Sequence, residues 1–402
     1  MKKKTNVLLI FIALILIILG SFFALKDSDT NNKKDLINNI KSHYNKYVIT
    51  SKDTKLYNNK YKSIGIVHKN KKLILDSIKI NKNTKYFKIK DTDNYIKYSD
   101  VEKYKHKINI DNRYKKYIVF NENITTNKKV KLYQDNKLIY TINNSLDLPI
   151  MRKEEDGYYV EFNNELYLVK NEDIVKTYNK NNTDSKEALE VPVTVYHFIY
   201  LDGEVCGEII CHHSSQIEEE FNYLNENSFF TINTKEMEWF IDKRIRLPEK
   251  SILVTIDDGA RAEKFIPFLE KYKINATLFL VTSWYEKSKF KSPYLEIASH
   301  SDNLHEGGKC PGDQGSPLKC LDKNELLKDL KTSRDKLDGT EAFCYPFYEF
   351  NDYSESVLKE AGFKSAYIGG MQKAKQGINK YRIPRITIMF DNTLEDYKKY
   401  IN

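Results

Sequence analysis

Two fold classes follow one another in this chain: small all-β units up to about residue 178, then a parallel α/β domain read as a barrel from about residue 191. Three observations predict this. The first half contains an internal repeat with a constant offset of 73 residues over its later matches, too long for a solenoid unit and right for a small domain. The second half alternates short apolar runs with segments of helical spacing, the pattern of strand-helix units. Between them, Asn179–Glu190 is rich in Asn, Lys, Ser and Thr and reads as a linker.

The elements are taken in chain order. Val7–Leu25 is 19 residues without a charge, preceded by Lys2, Lys3 and Lys4. At about 1.5 Å per residue such a run crosses a hydrocarbon core of about 30 Å. It is read as a transmembrane helix, with residues 1–6 cytoplasmic and the remainder outside, because the lysines lie on the short leading side. A cleaved signal peptide is the alternative. The repeat assigns small β-barrel units to residues 36–105 and 110–178. Lys55-Leu-Tyr57 recurs as Lys131-Leu-Tyr133, Tyr86–Ile89 as Tyr159–Phe162, and Ile96–Val101 as Val169–Ile174, with Asp100 over Asp173. In the domain at 191–402, strands are expected at Val191–Tyr196, Ile252–Ile256, Ala276–Val281, Ala342–Tyr345 and Ala366–Ile368. Helices are expected at Ile217–Leu224, Ala262–Tyr272, Leu326–Leu337 and Ser356–Ala361.

The formal net charge is +9. Outside a cell, a basic surface suits an anionic wall. No basic-aromatic recognition motif is present, so no nucleic-acid partner is expected. An exported compartment permits disulfides. Cys206–Cys211 and Cys310–Cys320 are the natural short-loop pairs, leaving Cys344 free; four-cysteine metal binding is the alternative, without a Cys-x-x-Cys to support it. His212-His213, beside Cys211, is read as an exposed loop. Trp239 is read as helix core.

The chemistry concentrates in Ser251–Gly259 and Ser299–His305. A short apolar run ends in Asp257-Asp258-Gly259, and His300 and His305 follow on a later loop. Hydrolysis of an unactivated amide at neutral pH needs a strong nucleophile. A divalent cation supplies one by lowering the pKa of a bound water to about 7. Asp258, His300 and His305 are a suitable ligand set that leaves a position open. Asp257, adjacent in sequence, is free to take a proton, because side chains alternate along a strand. In a parallel barrel the C-terminal strand ends carry the site, and Asp257, Asp258, His300 and Tyr345 all fall there.

These residues resemble the polysaccharide deacetylase (NodB-homology) family, carbohydrate esterase family 4, over about Pro192–Ile388. Thr255-Ile-Asp-Asp-Gly259 is similar to its first motif, His300-Ser301 with His305 to its second, and Phe343-Cys-Tyr-Pro-Phe347 to its third. The resemblance implies a distorted (β/α) barrel in which Asp257 is the catalytic base and Asp258, His300 and His305 hold the metal. It implies that Ser301 orients the loop and that the Phe347 N–H stabilises the oxyanion. Where many members have an orienting Arg, this chain has Cys344, so the base lacks an assigned partner. Tyr348 replaces a common Gly. The usual C-terminal Leu-x-His is missing, and Val195-Tyr-His197 fits the branch in which an N-terminal Tyr-His takes its place, making His197 the candidate general acid. Tyr345, Trp284 and Arg385 complete the candidate substrate groups. Trp284 is a stacking platform. Arg385 contacts Asp257 or substrate, with a surface charge as the alternative. The repeat resembles bacterial Src-homology-3-type domains, which bind wall peptides or serve as a spacer.

The resemblance implies a zinc-dependent N-deacetylase, with Co²⁺ or Ni²⁺ as alternatives, anchored in the cell membrane with its catalytic domain outside. The expected substrate is peptidoglycan N-acetylglucosamine, with lysozyme resistance as the consequence. The five-residue histidine spacing and the Tyr-His point instead to poly-β-1,6-N-acetylglucosamine. A catalytically idle wall-binding scaffold is the third reading.

Overall fold

The computed structural model describes residues 46–402. The segment expected to cross a membrane, 7–25, lies outside the described residues. Among the described residues no helix is long and apolar enough to do so. The chain forms two compact units. The first takes the described residues up to Asn112 together with Asn123–Pro149 and Asp156–Asn179. The second takes Arg113–Glu122, Ile150–Glu155 and Lys180–Asn402.

In the first unit the repeat is structural. Strands Thr84–Ile89 and Gly157–Phe162 correspond, as do the single 3₁₀ turns Tyr98–Asp100 and Asn171–Asp173. The shared aspartate has a physical reason. Asp100 Oδ2 accepts from Thr54 Oγ1 at 2.6 Å, and Asp173 Oδ2 accepts from the Lys131 N–H at 3.0 Å. In each copy the turn is thereby tied to the Lys-Leu-Tyr strand. The two copies share a sheet, because Lys137–Ile142 pairs antiparallel with Ser63–Val67. They are therefore one compact unit. Lys71 and Glu165, both largely buried, form an ion pair at 2.7 Å within it.

The second unit is built on a curled parallel sheet. Its strands are β1 (Val193–Tyr196), β2 (Ser251–Asp258), β3 (Ala276–Leu280), β4 (Leu295–Ser299), β5 (Ala342–Cys344), β6 (Ser365–Tyr367) and β7 (Ile386–Thr387). They lie side by side in the order β6-β5-β4-β3-β2-β1-β7. A parallel bridge from Tyr367 to Ile383 brings the last strand back toward the segment that leads into β7, so the sheet curls into the expected distorted barrel. Helices α1 (Ser214–Glu226), α3 (Ile266–Tyr272) and α6 (Leu394–Ile401) cover β1–β3 through Phe221, Leu224, Leu269 and Tyr397, and α2 (Thr234–Ile241) lies between α1 and α3 in the chain. Helices α4 (Lys323–Lys336) and α5 (Asp352–Ala361) cover β5 and β6 through Leu326, Leu330, Val357 and Leu358.

Several local expectations change. The helix expected over 262–272 is a 3₁₀ turn, Ala262–Phe265, followed by α3; Pro267 cannot donate a backbone hydrogen bond and so sits in the first turn of a new helix. The compositional linker belongs to this unit. Ala188 is buried, Arg246 bonds Glu187, and Glu190–Val191 pairs with Ala374–Lys375. His212 is not on an exposed loop. Cys211–His213 pairs in parallel with Phe198–Tyr200, and the His212 ring is buried against Tyr196 with centroids 5.1 Å apart. His213 caps α1 by accepting from the Ser215 N–H. The cysteines pair as expected, Cys206 with Cys211 and Cys310 with Cys320, and Cys344 is free and buried.

Gly259 ends β2 at φ 106°, a conformation that L side chains avoid, and a Cβ there would lie 2.5 Å from Leu280 Cδ1 and 2.9 Å from Tyr285 Cδ2. Gly259→Ala is expected to cost about 1–3 kcal/mol. Urea unfolding measures it, and a loss below about 0.5 kcal/mol would contradict the strain assigned to this turn.

Candidate active site and metal centre

Strand register brings the site together. Asp258 lies beside Leu280, Leu280 beside Ser299, and Ser299 beside Phe343. The C-terminal ends of β2 to β5 are thus level, and the residues that follow them share one rim. Along β2, Ile252, Val254 and Ile256 enter the helix-covered core, while Thr255 and Asp257 face the opposite side and meet Arg385. Strict alternation would send Asp258 back toward the helices. Its backbone leaves the β region instead, at φ 72°, and its carboxylate joins the rim. Ser301 (φ 76°), Phe347 (φ 58°) and Tyr348 (φ 59°) are also left-handed. Strained non-glycine backbone of this kind gathers where chemistry is done.

Asp258 Oδ1 stands 3.4 Å from His300 Nε2 and 3.2 Å from His305 Nε2. These ligand atoms form a group that could hold a metal ion. Asp258 Oδ1 is buried with no hydrogen-bond partner. His300 Nδ1 donates to the Cys344 carbonyl at 2.8 Å, which leaves its Nε2 lone pair facing Asp258. An orphaned carboxylate oxygen flanked by two imidazole nitrogens is what a divalent cation would satisfy, so the residues fit the group. Burial works to raise the Asp258 pKa, but the two imidazoles outweigh it and hold the carboxyl ionised.

Asp257 is held differently. It is 1% exposed, and Arg385, fully buried, donates Nη1 to Oδ1 and Nη2 to Oδ2, both at 2.7 Å. Arg385 also donates to Thr255 Oγ1 at 3.1 Å and meets Cys344 Sγ at 2.8 Å, and the Tyr348 ring stands 5.2 Å from its guanidinium. Burial pushes the Asp257 carboxyl up, yet the Arg385 charge and hydrogen bonds hold it below the usual carboxylate range. Asp257, His300 and Cys344 are also close enough to suggest a second metal group. The guanidinium already neutralises Asp257, and burial pushes the Cys344 thiol up, so that group lacks the anionic donors a cation needs.

The remaining candidates divide. His197 Nε2 lies 4.0 Å from Asp257 Oδ2, and its Nδ1 is buried without a partner. Burial lowers its pKa more than the two aspartates raise it. The Phe347 ring packs 4.5 Å from His305, and Trp284, 47% exposed, stands 5.1 Å from the same imidazole. Ser301 Oγ accepts from the Leu304 N–H at 3.1 Å, inside the histidine loop. Two side chains are not where substrate could reach them. Tyr345 is fully buried in the cluster under α4 and α5, between Phe343 and Phe350, because it points away from the rim. Arg385 has no exposed surface, so it positions Asp257 and does not touch substrate. Trp239 is only partly core: its ring lies under the Arg152 guanidinium at 4.0 Å. Sequence reasoning left the partner of Asp257 open, with Arg385 as one candidate; the signal was a charge inside the largely apolar run Ile383–Ile388. It also missed Tyr348 as the cover on that guanidinium.

At the mouth of the parallel barrel, a carboxylate held ionised stands beside a two-histidine, one-carboxylate group that could hold a cation, an arrangement suited to hydrolysis. Residues 244–366, within the second unit, match the family model described as Polysaccharide deacetylase. The chain is 27% identical over 199 residues to the poly-beta-1,6-N-acetyl-D-glucosamine N-deacetylase of Staphylococcus aureus, covering 44% of this chain and 67% of that protein. It is 24% identical over 195 residues to the enzyme of that name from Staphylococcus epidermidis. Among solved structures, a de-N-acetylase from Aggregatibacter actinomycetemcomitans is similar at 21% identity and a TM-score of 0.46, over 53% of this chain and 100% of that one.

Arg385→Met is expected to leave a buried carboxylate unpaired, at a cost of about 3–5 kcal/mol. A folded-state pKa held low gives stability that is present above the unfolded value of about 3.9 and lost as pH falls through the folded one. In the variant that contribution is gone, and the acid limb of the pH–rate profile moves to higher pH as Asp257 becomes easier to protonate. An unmoved acid limb in a folded variant would show that Asp257 does not depend on this guanidinium.

Proposed function

We propose that the chain removes N-acetyl groups from a β-linked N-acetylglucosamine polymer outside the cell. The observation that carries this reading is the buried Asp257–Arg385 pair set beside the Asp258, His300 and His305 donors. Those three residues would hold the cation, and two imidazoles with one carboxylate favour Zn²⁺. Bound there, a divalent ion supplies a water of lowered pKa and polarises an acyl oxygen.

The rest falls to the chain's own groups. Asp257, ionised and oriented by Arg385, accepts the proton of the attacking water. The Phe347 N–H, on a left-handed backbone beside His305, is the donor for the developing oxyanion. His197, whose Nε2 lies 4.0 Å from Asp257 Oδ2, relays to the departing sugar amine the proton that Asp257 has taken up. Trp284 stacks on a sugar ring. The products are acetate and a glucosamine unit.

For the substrate, the Staphylococcus relatives named as poly-beta-1,6-N-acetyl-D-glucosamine deacetylases join the five-residue histidine spacing and the Tyr196-His197 pair in favouring that polymer. This moves the preference away from peptidoglycan. Peptidoglycan remains the second reading, on the strength of the repeat's likeness to wall-binding domains. In that case lysozyme resistance would follow from the added positive charge. The apolar segment 7–25 would anchor the enzyme in the cell membrane by a single span, and its two disulfides suit an oxidising exterior.

Acetate release from each polymer by the purified chain tests the reading. Asp257→Asn is expected to lower the rate by about 10² or more, and chelation to abolish it until Zn²⁺ is restored. Release that survives both treatments would rule out this chemistry. No release by the metal-loaded chain from either polymer would favour the scaffold.

A further inference from the structure

Helix α4 covers β5 with Leu326 and Leu330, but one stripe of it is polar and turned to the end of β4 and the loop that follows it. Asp329, Ser333 and Lys336 are spaced i, i+4 and i+7, so they share a helix face. Asp329 and Lys336 bond the loop that carries His300 and His305, and Ser333 bonds the last residue of β4, just before it. Asp329 Oδ1 accepts from the Asp302 N–H at 2.9 Å, and Asp329 Oδ2 accepts from the Asn303 N–H at 2.7 Å. Ser333 Oγ donates to the Leu330 carbonyl at 3.0 Å, so it accepts from Ser299 Oγ at 2.7 Å. Lys336 Nζ donates to Asp302 Oδ1 at 2.6 Å.

The residues that Asp329 and Lys336 grip, Asp302 and Asn303, lie between the two histidines. Consecutive backbone N–H groups can both point at one carboxylate only in a tight turn, and Ser301, at φ 76°, starts that turn. The position of the His305 imidazole relative to His300 therefore depends on an anionic acceptor at residue 329. We infer that helix α4 is the positioning element of the metal loop and that Asp329 is its principal positioning residue. The inference rests on the reading of Asp258, His300 and His305 as metal ligands and adds to it a residue outside the deacetylase motifs. Asp329 touches neither metal nor substrate; it acts through the backbone of Asp302 and Asn303.

Asp329→Asn keeps the shape but replaces one accepting oxygen with an amide that can only donate. The test is a Co²⁺ titration of the full chain, purified in detergent, followed by the visible absorption of the bound ion, with Zn²⁺ competition for affinity. Outer-shell groups of this kind are worth about 10–100-fold in metal affinity. Asp329→Asn is expected to weaken Co²⁺ binding at least about tenfold and to alter the absorption envelope. Asp335→Asn, an exposed aspartate of the same helix, should leave both unchanged. Unfolding of the metal-free chains, read by circular dichroism, separates positioning from folding. Should Asp329→Asn fail to fold, Ser333→Ala and Lys336→Met carry the test, each expected to weaken binding at least threefold. Affinities within twofold of the parent in the folded variants would overturn the inference. Failure of the parent chain itself to bind Co²⁺ or Zn²⁺ would instead remove the metal-centre reading on which it stands.

Discussion

A guanidinium with no exposed surface and a carboxylate with almost none face each other inside the barrel, joined by two hydrogen bonds of 2.7 Å. Removing two such charges from water is costly, and only near-ideal bidentate geometry offsets it. That requirement organises much of the second unit. The strand that carries Asp257 must end level with its neighbours. The segment before β7 must return to the sheet 128 residues later to deliver Arg385. Tyr348 and Phe279 must cover the guanidinium, with their rings 5.2 and 5.6 Å away. The near-closure of the curled sheet through Tyr367 and Ile383 is the same event seen in the backbone.

Two adjacent aspartates thereby acquire different roles from different surroundings. Asp257 is neutralised by a fixed cation and has no vacancy for a metal. Asp258, one residue on, turns out of the strand at φ 72° and meets only imidazoles. The first is held by a guanidinium, and the second faces two imidazole nitrogens. Cys344 contributes through its carbonyl, which fixes the His300 tautomer, while its thiol fills space against Arg385. A second Arg at position 344 would place two cations against one carboxylate. Arg385 supplies that charge from the segment before β7, and Cys344 stands in the third motif instead of an Arg.

Binding groups lie where the backbone is least regular. The histidine loop, the Phe347–Tyr348 turn and the end of β2 each hold left-handed residues. Two of them are held by side chains from elsewhere in the unit: α4 for the histidine loop, and Arg385 with Thr387 around Tyr348. Irregular backbone is thus supported by regular structure, which keeps the donor atoms within small tolerances.

The sequence by itself determined what is local. The apolar runs and helical spacings specified the parallel α/β class, the Asp-Asp-Gly and His-x₄-His stretches specified the residues brought together at the rim, and the short cysteine spacings specified both disulfides. Each depends on residues near one another in the chain or on a periodicity that burial enforces. Only the tertiary structure decided that Arg385 serves Asp257, that Tyr345 belongs to the core and that His212 is buried. It also decided that the repeat copies share a sheet and that α4 grips the metal loop. A side chain's partner across a barrel depends on sheet curvature and strand register, and those are set by the packing of the whole unit, not by the residues adjacent in sequence.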